Sequence, residues 1–248
     1  MVDWIDDSEG LERWVERARG AGRLAIDCEA NGFHAYRARL CLLQLARERS
    51  DGGIDVALVD ALSLADALRA RLGPVFEDPG IEKVLHGASN DVRMLDRDAG
   101  LRMRGLLDTE VAARLLGRPR SGLAALAEEL TGRRISKAGQ RLDWARRPLP
   151  DKALSYAAED VKPLFGVRDA LMAELEQAGR REWLEEECRA LEALRWQEPE
   201  PPSAEDLLAR AKGTGDLDRS AREVLSRLLV WREREAARKR RKNLERLQ

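Results

Sequence analysis

Apolar positions in the first sixty residues switch between helical spacing and short continuous runs. A first helix is predicted by four apolar residues spaced three and four apart: Leu11, Trp14, Val15 and Ala18. Three apolar runs of strand length follow, separated by turn residues, at residues 23–29, 40–46 and 55–60. Closely spaced strands joined by short turns predict an antiparallel meander.

Strand and helix patterns alternate in the next segment, over residues 63–117. Apolar runs at residues 82–86 and 106–108 each precede a helical pattern, and glycines follow those helices. Such alternation predicts parallel strands covered by helices. We therefore expect an α/β fold over residues 1–118, with a mixed five-stranded sheet.

The remaining pattern is helical. We predict helices over residues 122–130, 151–165 and 167–196, and a proline-rich linker starts at Gln197. Ser203 and Asp206 have the spacing of a capping box, and a further helix runs from about Ser220 through Trp231. The predicted organisation is one domain at 1–196, a linker with a short helix at 197–216, and a helical segment with a basic tail at 217–248.

The distribution of charge adds one feature to this organisation, a basic segment at the C-terminus. Charged residues make up 36% of the 248 residues, yet the net charge is −1, so the overall charge does not predict a nucleic-acid-binding protein. The tail is basic, with Arg234, Arg238, Lys239, Arg240, Arg241, Lys242 and Arg246.

The spacing of the cysteines and the lengths of the apolar runs indicate the cellular compartment. Cys28, Cys41 and Cys188 are odd in number and far apart, which favours reduced thiols over a disulfide framework or a zinc site. The N-terminus lacks the apolar core of a signal peptide, and no apolar run has the length of a membrane span. We expect a cytoplasmic protein without membrane contact.

Two acids on the first apolar run are candidate metal ligands. Asp27 and Glu29 are two apart on a predicted strand, so they share one face while Cys28 points to the other. Carboxylates roughly 7 Å apart by strand rise repel each other unless a cation lies between them, and hard oxygen ligands suit Mg²⁺ or Mn²⁺. The alternative is a pair of solvated acids at a strand end.

A third acid, Asp91, lies where a strand leads into a helix. Carboxyl ends of strands are where open α/β sheets place their ligands, so this acid is a further candidate for the same site. The alternative is that Ser89, Asn90 and Asp91 cap the helix and interact with its dipole.

A phenol and a fourth acid are four residues apart on a late helix. Tyr156 and Asp160 therefore share one helix face and are placed to hold a water molecule between them and a metal. The alternative is a tyrosine packed in the core beside a solvated aspartate.

The order of these motifs resembles that of the 3′–5′ exonucleases of the DEDD family, in the branch that contains tyrosine. The flanking residues resemble those of ribonuclease D over roughly residues 4–195. They occur in three stretches: Phe33–Ala46, Lys83–Ala113 and Gln140–Val161.

The resemblance implies a ribonuclease H-like fold and a set of catalytic residues. Asp27, Glu29, Asp91 and Asp160 are implied to hold two divalent cations, Mg²⁺ or Mn²⁺, with Asp27 bridging both. Tyr156 is implied to orient the attacking water. Two cations roughly 4 Å apart stabilise both the attacking and the leaving oxygen of an in-line displacement.

Three neighbouring polar residues receive other interpretations. Tyr156 takes the position that orients water, so His86 is interpreted as a buried residue or one behind the metal ligands. His34 lies in a loop near the first motif and is given no role. Asp108 is interpreted as the N-cap of the helix starting at Thr109, with a role behind the metal ligands as the alternative.

A polar and basic loop precedes the third motif. Lys137, Gln140, Arg141 and Trp144 either contact phosphates and stack a base, or form a solvated loop with one packed tryptophan. Pro163, three residues after Asp160, removes a helical hydrogen bond and predicts a kink or helix end there.

Residues 217–248 resemble the start of the helical HRDC domain that follows the nuclease in ribonuclease D. About a third of such a domain is present, too little to predict an independent core. We expect this segment to pack on the nuclease domain, to be mobile, or to bind phosphates.

The implied activity is hydrolysis of RNA from its 3′ end, with structured RNA such as tRNA precursors as implied substrates. The sequence does not determine the oligomeric state, for which a monomer is the favoured expectation. Two alternatives stay open at this point. One is a 3′–5′ exonuclease acting on DNA, because the catalytic residues do not distinguish the two sugars. The other is a catalytically silent nucleic-acid-binding protein, against which the presence of all four acids and Tyr156 argues.

Overall fold

The computed structural model describes residues 2–136, 139 and 141–245, and of residues 239–245 it describes the backbone alone. The chain divides into two compact units. The first consists of Met1–Phe33 and Ala38–Trp196, and the second of His34–Arg37 and Gln197–Gln248.

The first unit is built on a six-stranded mixed sheet. Its strands are β1 (Val2–Ile5), β2 (Arg23–Ala30), β3 (Leu40–Glu48), β4 (Ile54–Asp60), β5 (Glu82–Leu85) and β6 (Leu106–Asp108). Their order across the sheet is β1-β4-β3-β2-β5-β6. The pairs β2–β3 and β3–β4 are antiparallel, as the meander predicts, and the other pairs are parallel.

The predicted fold class is confirmed, with one strand more than the five predicted. The additional strand, β1, pairs in parallel with β4 at the sheet edge. It has only four residues and one of them is Asp3, so the sequence offers no apolar run there. Its pairing supplies the backbone hydrogen bonds that the local pattern does not indicate.

Eight helices are described in the first unit. They are α1 (Ser8–Arg19), α2 (Ala65–Phe76), α3 (Ser89–Ala99), α4 (Thr109–Leu115), α5 (Leu123–Thr131), α6 (Asp151–Val161), α7 (Leu164–Gln177) and α8 (Arg181–Glu192). Helix α6 packs against β2, β3 and β4, and α7 packs against β5. Strand β3 is buried from Leu40 to Ala46, as expected for a strand inside the sheet with helices over it.

The helix end predicted at Pro163 is confirmed. Helix α6 ends at Val161, and Pro163 is the N-cap residue of α7 with φ −75°. Its carbonyl accepts a hydrogen bond from the amide of Val167 at 3.0 Å. Proline has no N–H to continue α6, but its fixed φ suits the start of a new helix.

The single helix predicted over residues 167–196 is wrong, because two helices occupy this segment. Gly179 has φ +64° and separates α7 from α8. The amide of Arg180 returns to the carbonyl of Leu175 at 2.9 Å and closes the end of α7. A left-handed glycine just after a helix is a common terminator, and the apolar spacing does not reveal it.

The second unit contains α9 (Ala204–Arg210) and α10 (Arg219–Glu245), which pack against each other. The capping box predicted at Ser203 and Asp206 is present at the start of α9. Helix α10 is much longer than the predicted segment. Within the described part of the chain, no helix is both long enough and apolar enough to cross a membrane.

Candidate active site

Three carboxylates that are distant in sequence meet at β2. Carboxylate oxygens of Asp27, Glu29 and Asp160 all lie within 4.8 Å of one another. Strand β2 lies inside the sheet between β3 and β5 and carries the first two acids on one face. Helix α6 packs across β2 and brings Asp160 to them.

Tyr156 lies one turn before Asp160 on the same face of α6. Its hydroxyl donates a hydrogen bond to the Asp160 carboxylate. The tyrosine ring packs near Trp144, with ring centroids 6.1 Å apart. It is therefore partly packed and also lines the cleft beside the carboxylates. The alternative of a solvated aspartate on this helix is wrong, because Asp160 is buried.

Asp91 lies near this group but outside its most compact part. It is in the first turn of α3, whose N-cap is Ala88 without a side-chain cap hydrogen bond. The capping part of the alternative for Ser89, Asn90 and Asp91 is therefore wrong, whereas Asp91 lies in the first turn, where its charge is favourable to the helix dipole. Burial, followed by the charges of Asp27 and Asp108, raises the pKa of Asp91 well above its usual range. Asp91 is not among the three acids that lie within 4.8 Å of one another.

Burial raises the pKa of all four acids, and the charges of other cluster carboxylates raise the pKa values of Asp27, Glu29 and Asp91 further. Burial, followed by the charge of Asp160, raises the pKa of Asp27 to about 7. Burial and the three neighbouring carboxylates raise the pKa of Glu29 to about 9. Burial also raises the pKa of Asp160 to about 6, against the hydrogen bond from Tyr156. Proximity of like charges in a poorly solvated site has this effect unless a cation is bound.

The donor set fits a divalent cation. Its ligand atoms are hard carboxylate oxygens, which Mg²⁺, Mn²⁺ and Ca²⁺ prefer over softer metals. The charges that raise the pKa values of Asp27 and Glu29 come from other carboxylates. A bound cation removes that repulsion, so the chemistry of this acidic cluster is compatible with metal binding.

A cleft of about 660 Å³ opens onto the cluster. Asp27, Glu29, Tyr156 and Asp160 line it. Its other lining residues come mainly from β2, the start of α5 and the loop before α6, and they include His86, Arg120 and Gly122. A second cleft of about 330 Å³ shares Tyr156 and Asp160 and includes Gly139 and Lys152.

A partly buried ion pair anchors the loop that leads into α6. The guanidinium of Arg147 donates to both carboxylate oxygens of Asp60, at 2.7 and 2.6 Å, and to the carbonyl of Cys41 at 2.9 Å. Asp60 is at the end of β4 and is almost fully buried. A bidentate pair fixes both position and orientation, so it ties α6 to the sheet. Sequence reasoning missed this pair, because nothing local links its two members.

The neighbouring polar residues separate into distinct roles. Asp108 is the N-cap of α4 and accepts from the amides of Glu110 and Val111, which confirms the predicted cap. It also accepts from the amides of Gly87 and Ala88. His86 is half-buried with its Nδ1 3.0 Å from the Thr109 hydroxyl. His34 belongs to the second unit and is not a lining residue of the cleft.

The loop before the third motif is described in part. Lys137 and Gln140, predicted to contact phosphates or form a solvated loop, lie outside the described residues. Trp144 is 1% exposed, so it is the packed tryptophan of the second interpretation and is not available to stack a base. Arg141 is exposed.

A family model described as "3′-5′ exonuclease" matches residues 2–176 of the chain. The chain belongs to this 3′–5′ exonuclease family. The matched range contains all four acids and Tyr156. The resemblance read from the motifs is thereby confirmed at the level of the family.

Known relatives of this chain include an exosome exonuclease and ribonuclease D. The chain is 36% identical to the exosome complex exonuclease RRP6 of Saccharomyces cerevisiae over 177 residues, which is 71% of the chain and 23% of the relative. It is 33% identical to ribonuclease D of Escherichia coli over 204 residues, which is 81% of the chain and 52% of the relative. The chain thus spans about half the length of the ribonuclease D that it resembles.

Solved structures show the same architecture as this chain. The catalytic core of RRP6 from Trypanosoma brucei superposes with a TM-score of 0.86 at 30% identity, covering 95% of the chain and 65% of that structure. Escherichia coli RNase D superposes with a TM-score of 0.71 at 30% identity, covering 96% and 61%. These matches confirm the predicted ribonuclease H-like fold.

Proposed function

We propose that this protein is a metal-dependent 3′–5′ exoribonuclease that hydrolyses RNA from the 3′ end. The observation that carries the proposal is the meeting of Asp27, Glu29 and Asp160 beside Tyr156 in an open cleft. Relatives named ribonuclease D support RNA as the substrate, and the solved Escherichia coli enzyme is described as an exoribonuclease involved in structured RNA processing. A Trypanosoma brucei RNase D structure contains RNA U12. Structured RNA, such as a tRNA precursor, is the proposed substrate class.

The four acids are proposed to hold two divalent cations, Mg²⁺ or Mn²⁺. Asp27, Glu29 and Asp160 form the compact part of the site, and Asp91 completes it from the start of α3. Bound cations supply charge neutralisation and a lowered pKa for water at neutral pH. The protein contributes a fixed, partly buried set of oxygens whose own repulsion is relieved by that binding.

Tyr156 is proposed to orient the water that attacks the terminal phosphodiester. Burial, with the charge of Asp160, raises the pKa of its hydroxyl, so the phenol stays protonated at neutral pH. A neutral phenol donates one hydrogen bond and accepts others, which suits it to hold a water beside Asp160. Trp144 and the loop anchored by Arg147 keep the ring in place.

The direct test uses three substrates of one sequence: RNA with a free 3′-hydroxyl, the same RNA with a 3′-phosphate, and the DNA equivalent. Each is incubated with Mg²⁺, Mn²⁺ or EDTA, and the products are resolved by length. Asp27→Asn is the matched negative control. The proposal predicts metal-dependent shortening from the free 3′-hydroxyl, faster on RNA than on DNA.

Each of the other outcomes would contradict the proposal in a different way. Faster shortening of DNA identifies a 3′–5′ exonuclease on DNA. Retention of RNA without shortening in either metal identifies a binding protein with a silent site. Shortening that persists in Asp27→Asn identifies a contaminating nuclease and leaves the protein without the proposed activity.

A further inference from the structure

A relay of two hydrogen bonds fixes the protonation of His86. The Thr109 hydroxyl lies 2.9 Å from the carbonyl oxygen of Leu85 and 3.0 Å from Nδ1 of His86. A carbonyl oxygen only accepts hydrogen bonds, so the single hydroxyl proton of Thr109 is donated to Leu85. The hydroxyl must then accept from the imidazole, which places a proton on Nδ1 of His86.

The imidazole is neutral in this arrangement, so Nε2 carries a lone pair and no proton. Burial lowers the pKa of His86 and favours the neutral ring at physiological pH. In a neutral imidazole one nitrogen donates and the other accepts. Nδ1 is bonded to Thr109, which is fully buried, and His86 lines the cleft, so Nε2 is the ring nitrogen left to meet a ligand there.

His86 does not belong to the potential metal-binding group, so the lone pair of Nε2 is not assigned to a metal there. Within the described ranges, the potential metal-binding group consists of Asp27, Glu29 and Asp160, and no histidine nitrogen lies close enough to join it. His86 and the acids nevertheless line the same cleft. His86 therefore brings a hydrogen-bond acceptor of fixed tautomer to the cleft that the proposed metal ligands also line.

The chemistry of RNA limits what such an acceptor binds. Phosphate oxygens are acceptors themselves and do not pair with a bare imidazole nitrogen. Base amino groups donate, but they differ from base to base, and an exonuclease meets a new base after each cleavage. Ribose hydroxyls donate and are present in every nucleotide, and the 2′-hydroxyl is the group that distinguishes RNA from DNA.

We propose that Nε2 of His86 accepts a hydrogen bond from a ribose hydroxyl of the 3′-terminal nucleotide and so selects for the sugar of the substrate. This inference rests on the proposed exonuclease function and adds a specificity-determining residue to the same site. The hydroxyl has two sources in the terminal nucleotide, the 2′ and the 3′ positions. Substrates that lack one hydroxyl each distinguish them.

The experiment measures single-turnover release of the terminal nucleotide from three RNAs of one sequence: unmodified, 2′-deoxy at the last nucleotide, and 3′-deoxy at the last nucleotide. The central variant is His86→Asn, whose amide nitrogen reaches the Nδ1 position and keeps the donor to Thr109 while the Nε2 acceptor is lost. Thr109→Val removes the acceptor for Nδ1–H, and Thr109→Ser restores a hydroxyl. His34→Asn is the matched control, since the chain has two histidines and His34 does not line the cleft.

Wild type should lose about ten-fold in rate on one of the two deoxy substrates, the scale of one hydrogen bond. His86→Asn should process the unmodified RNA at about the rate that wild type shows on that deoxy substrate, and should no longer distinguish the two. Thr109→Val should reduce the discrimination, Thr109→Ser should retain it, and His34→Asn should match wild type. Discrimination that persists unchanged in His86→Asn overturns the inference, as does a wild type that processes all three substrates equally.

A measurement on the free protein separates this inference from the proposed function. Nitrogen-15 NMR of the two histidine rings, assigned with His34→Asn and His86→Asn, should show the Nδ1–H tautomer for His86. Adding a ribonucleoside 5′-monophosphate should shift the Nε2 signal, and the analogue that lacks the contacted hydroxyl should shift it less. If the protein does not shorten RNA but shows these shifts, the proposed function is refuted and the hydroxyl contact is supported. An Nε2–H tautomer, or no shift with any nucleotide, refutes the contact even in an active enzyme.

Discussion

The carboxylate of Asp108 accepts a hydrogen bond from the backbone amide of Ala88 at 2.7 Å, which links the end of β6 to the turn after β5. The same carboxylate accepts from the amides of Gly87, Glu110 and Val111. One buried acid therefore holds the start of α4 and the turn that precedes Asp91 on α3. The sequence predicts that Asp108 caps α4, but it does not predict the hydrogen bonds from the amides of Gly87 and Ala88.

Replacing Asp108 by asparagine should lower both stability and activity. The variant keeps one acceptor oxygen and turns an NH₂ group toward a backbone amide, so buried donors lose their partner. We expect a loss of about 2–4 kcal/mol in the free energy of unfolding, measured by urea titration, and slower cleavage because the turn before Asp91 is loosened. Asp66→Asn, an exposed acid in the first turn of α2, is the control and should change stability by less than about 0.5 kcal/mol. Equal stability of the two variants would contradict the role given to Asp108.

Removing one acid of the cluster should abolish activity without destabilising the metal-free fold. Asp27→Asn should slow RNA shortening roughly 100-fold or more, since even residues behind metal ligands cost 10- to 100-fold. In EDTA its melting temperature should equal or exceed that of wild type, because repulsion with Glu29 and Asp160 is relieved. Added Mn²⁺ should raise the melting temperature of wild type more than that of the variant. Glu159→Gln, an exposed neighbour paired with Lys162, serves as the control on α6 and should respond to Mn²⁺ like wild type.

Removing the hydroxyl of Tyr156 should slow the chemical step more than it weakens binding. In Tyr156→Phe the ring still packs near Trp144, and only the hydrogen bond to Asp160 and the proposed contact with water are lost. We expect kcat to fall roughly 100-fold, at the low end of the usual range for groups that assist proton transfer, with KM little changed. Tyr36→Phe, at the only other tyrosine in the sequence, is the matched control. An unchanged kcat in Tyr156→Phe would remove the phenol from the mechanism.

The buried ammonium of Lys83 should make stability depend on pH above neutrality. Lys83 is fully buried, and its Nζ donates to the carbonyl of Ile81 at 2.6 Å. Burial lowers its pKa from 10.5 to about 8. Between these values the unfolded chain binds more protons than the folded one, so the contribution of this group rises with pH from about 8 to 10.5 and is lost as the pH falls through about 8.

The measurement compares the free energy of unfolding of wild type and Lys83→Met between pH 7 and 10.5. The difference between the two proteins removes the titration of every other group. It should shift in favour of wild type by up to about 3 kcal/mol across that window. Lys152→Met, at an exposed lysine, should show a difference that does not change with pH. A flat difference for Lys83→Met as well would show that the folded chain does not lower this pKa.

The basic C-terminal segment should contribute to RNA affinity through charge. Substituting Lys239, Arg240, Arg241 and Lys242 by glutamine should weaken RNA binding at low salt and reduce the slope of log affinity against log salt. The single-turnover rate at saturating RNA should stay the same, because no proposed metal ligand is altered. Substituting Glu235 and Glu245 by glutamine is the opposite control and should strengthen low-salt binding. A salt slope unaffected by the four basic substitutions would leave this segment without a role in RNA binding. Its assignment to a partial HRDC domain stays a prediction.

Short-range patterns in the sequence predicted most of the elements of the first unit. Alternating and continuous apolar runs located the meander and the parallel strands, because burial on a strand or helix follows a local period. Pro163 marked the end of α6 for an equally local reason, the missing N–H. Strand β1 and the break at Gly179 were missed. The first is set by pairing with β4, and the second by a backbone conformation that apolar spacing does not record.

The sequence by itself determined which residue types are present at the candidate site and in what order. The acidic residues and Tyr156 stand in recognisable motifs, so they could be singled out before any coordinates. Only the tertiary structure decided that Asp160 meets Asp27 and Glu29, that Asp91 lies outside the compact group, and that Arg147 pairs with Asp60. It also placed the Thr109 hydroxyl between Nδ1 of His86 and the carbonyl oxygen of Leu85. Local periodicity reports which side of an element is buried, whereas contacts between distant elements depend on how their buried faces pack, and that information is spread over the whole chain.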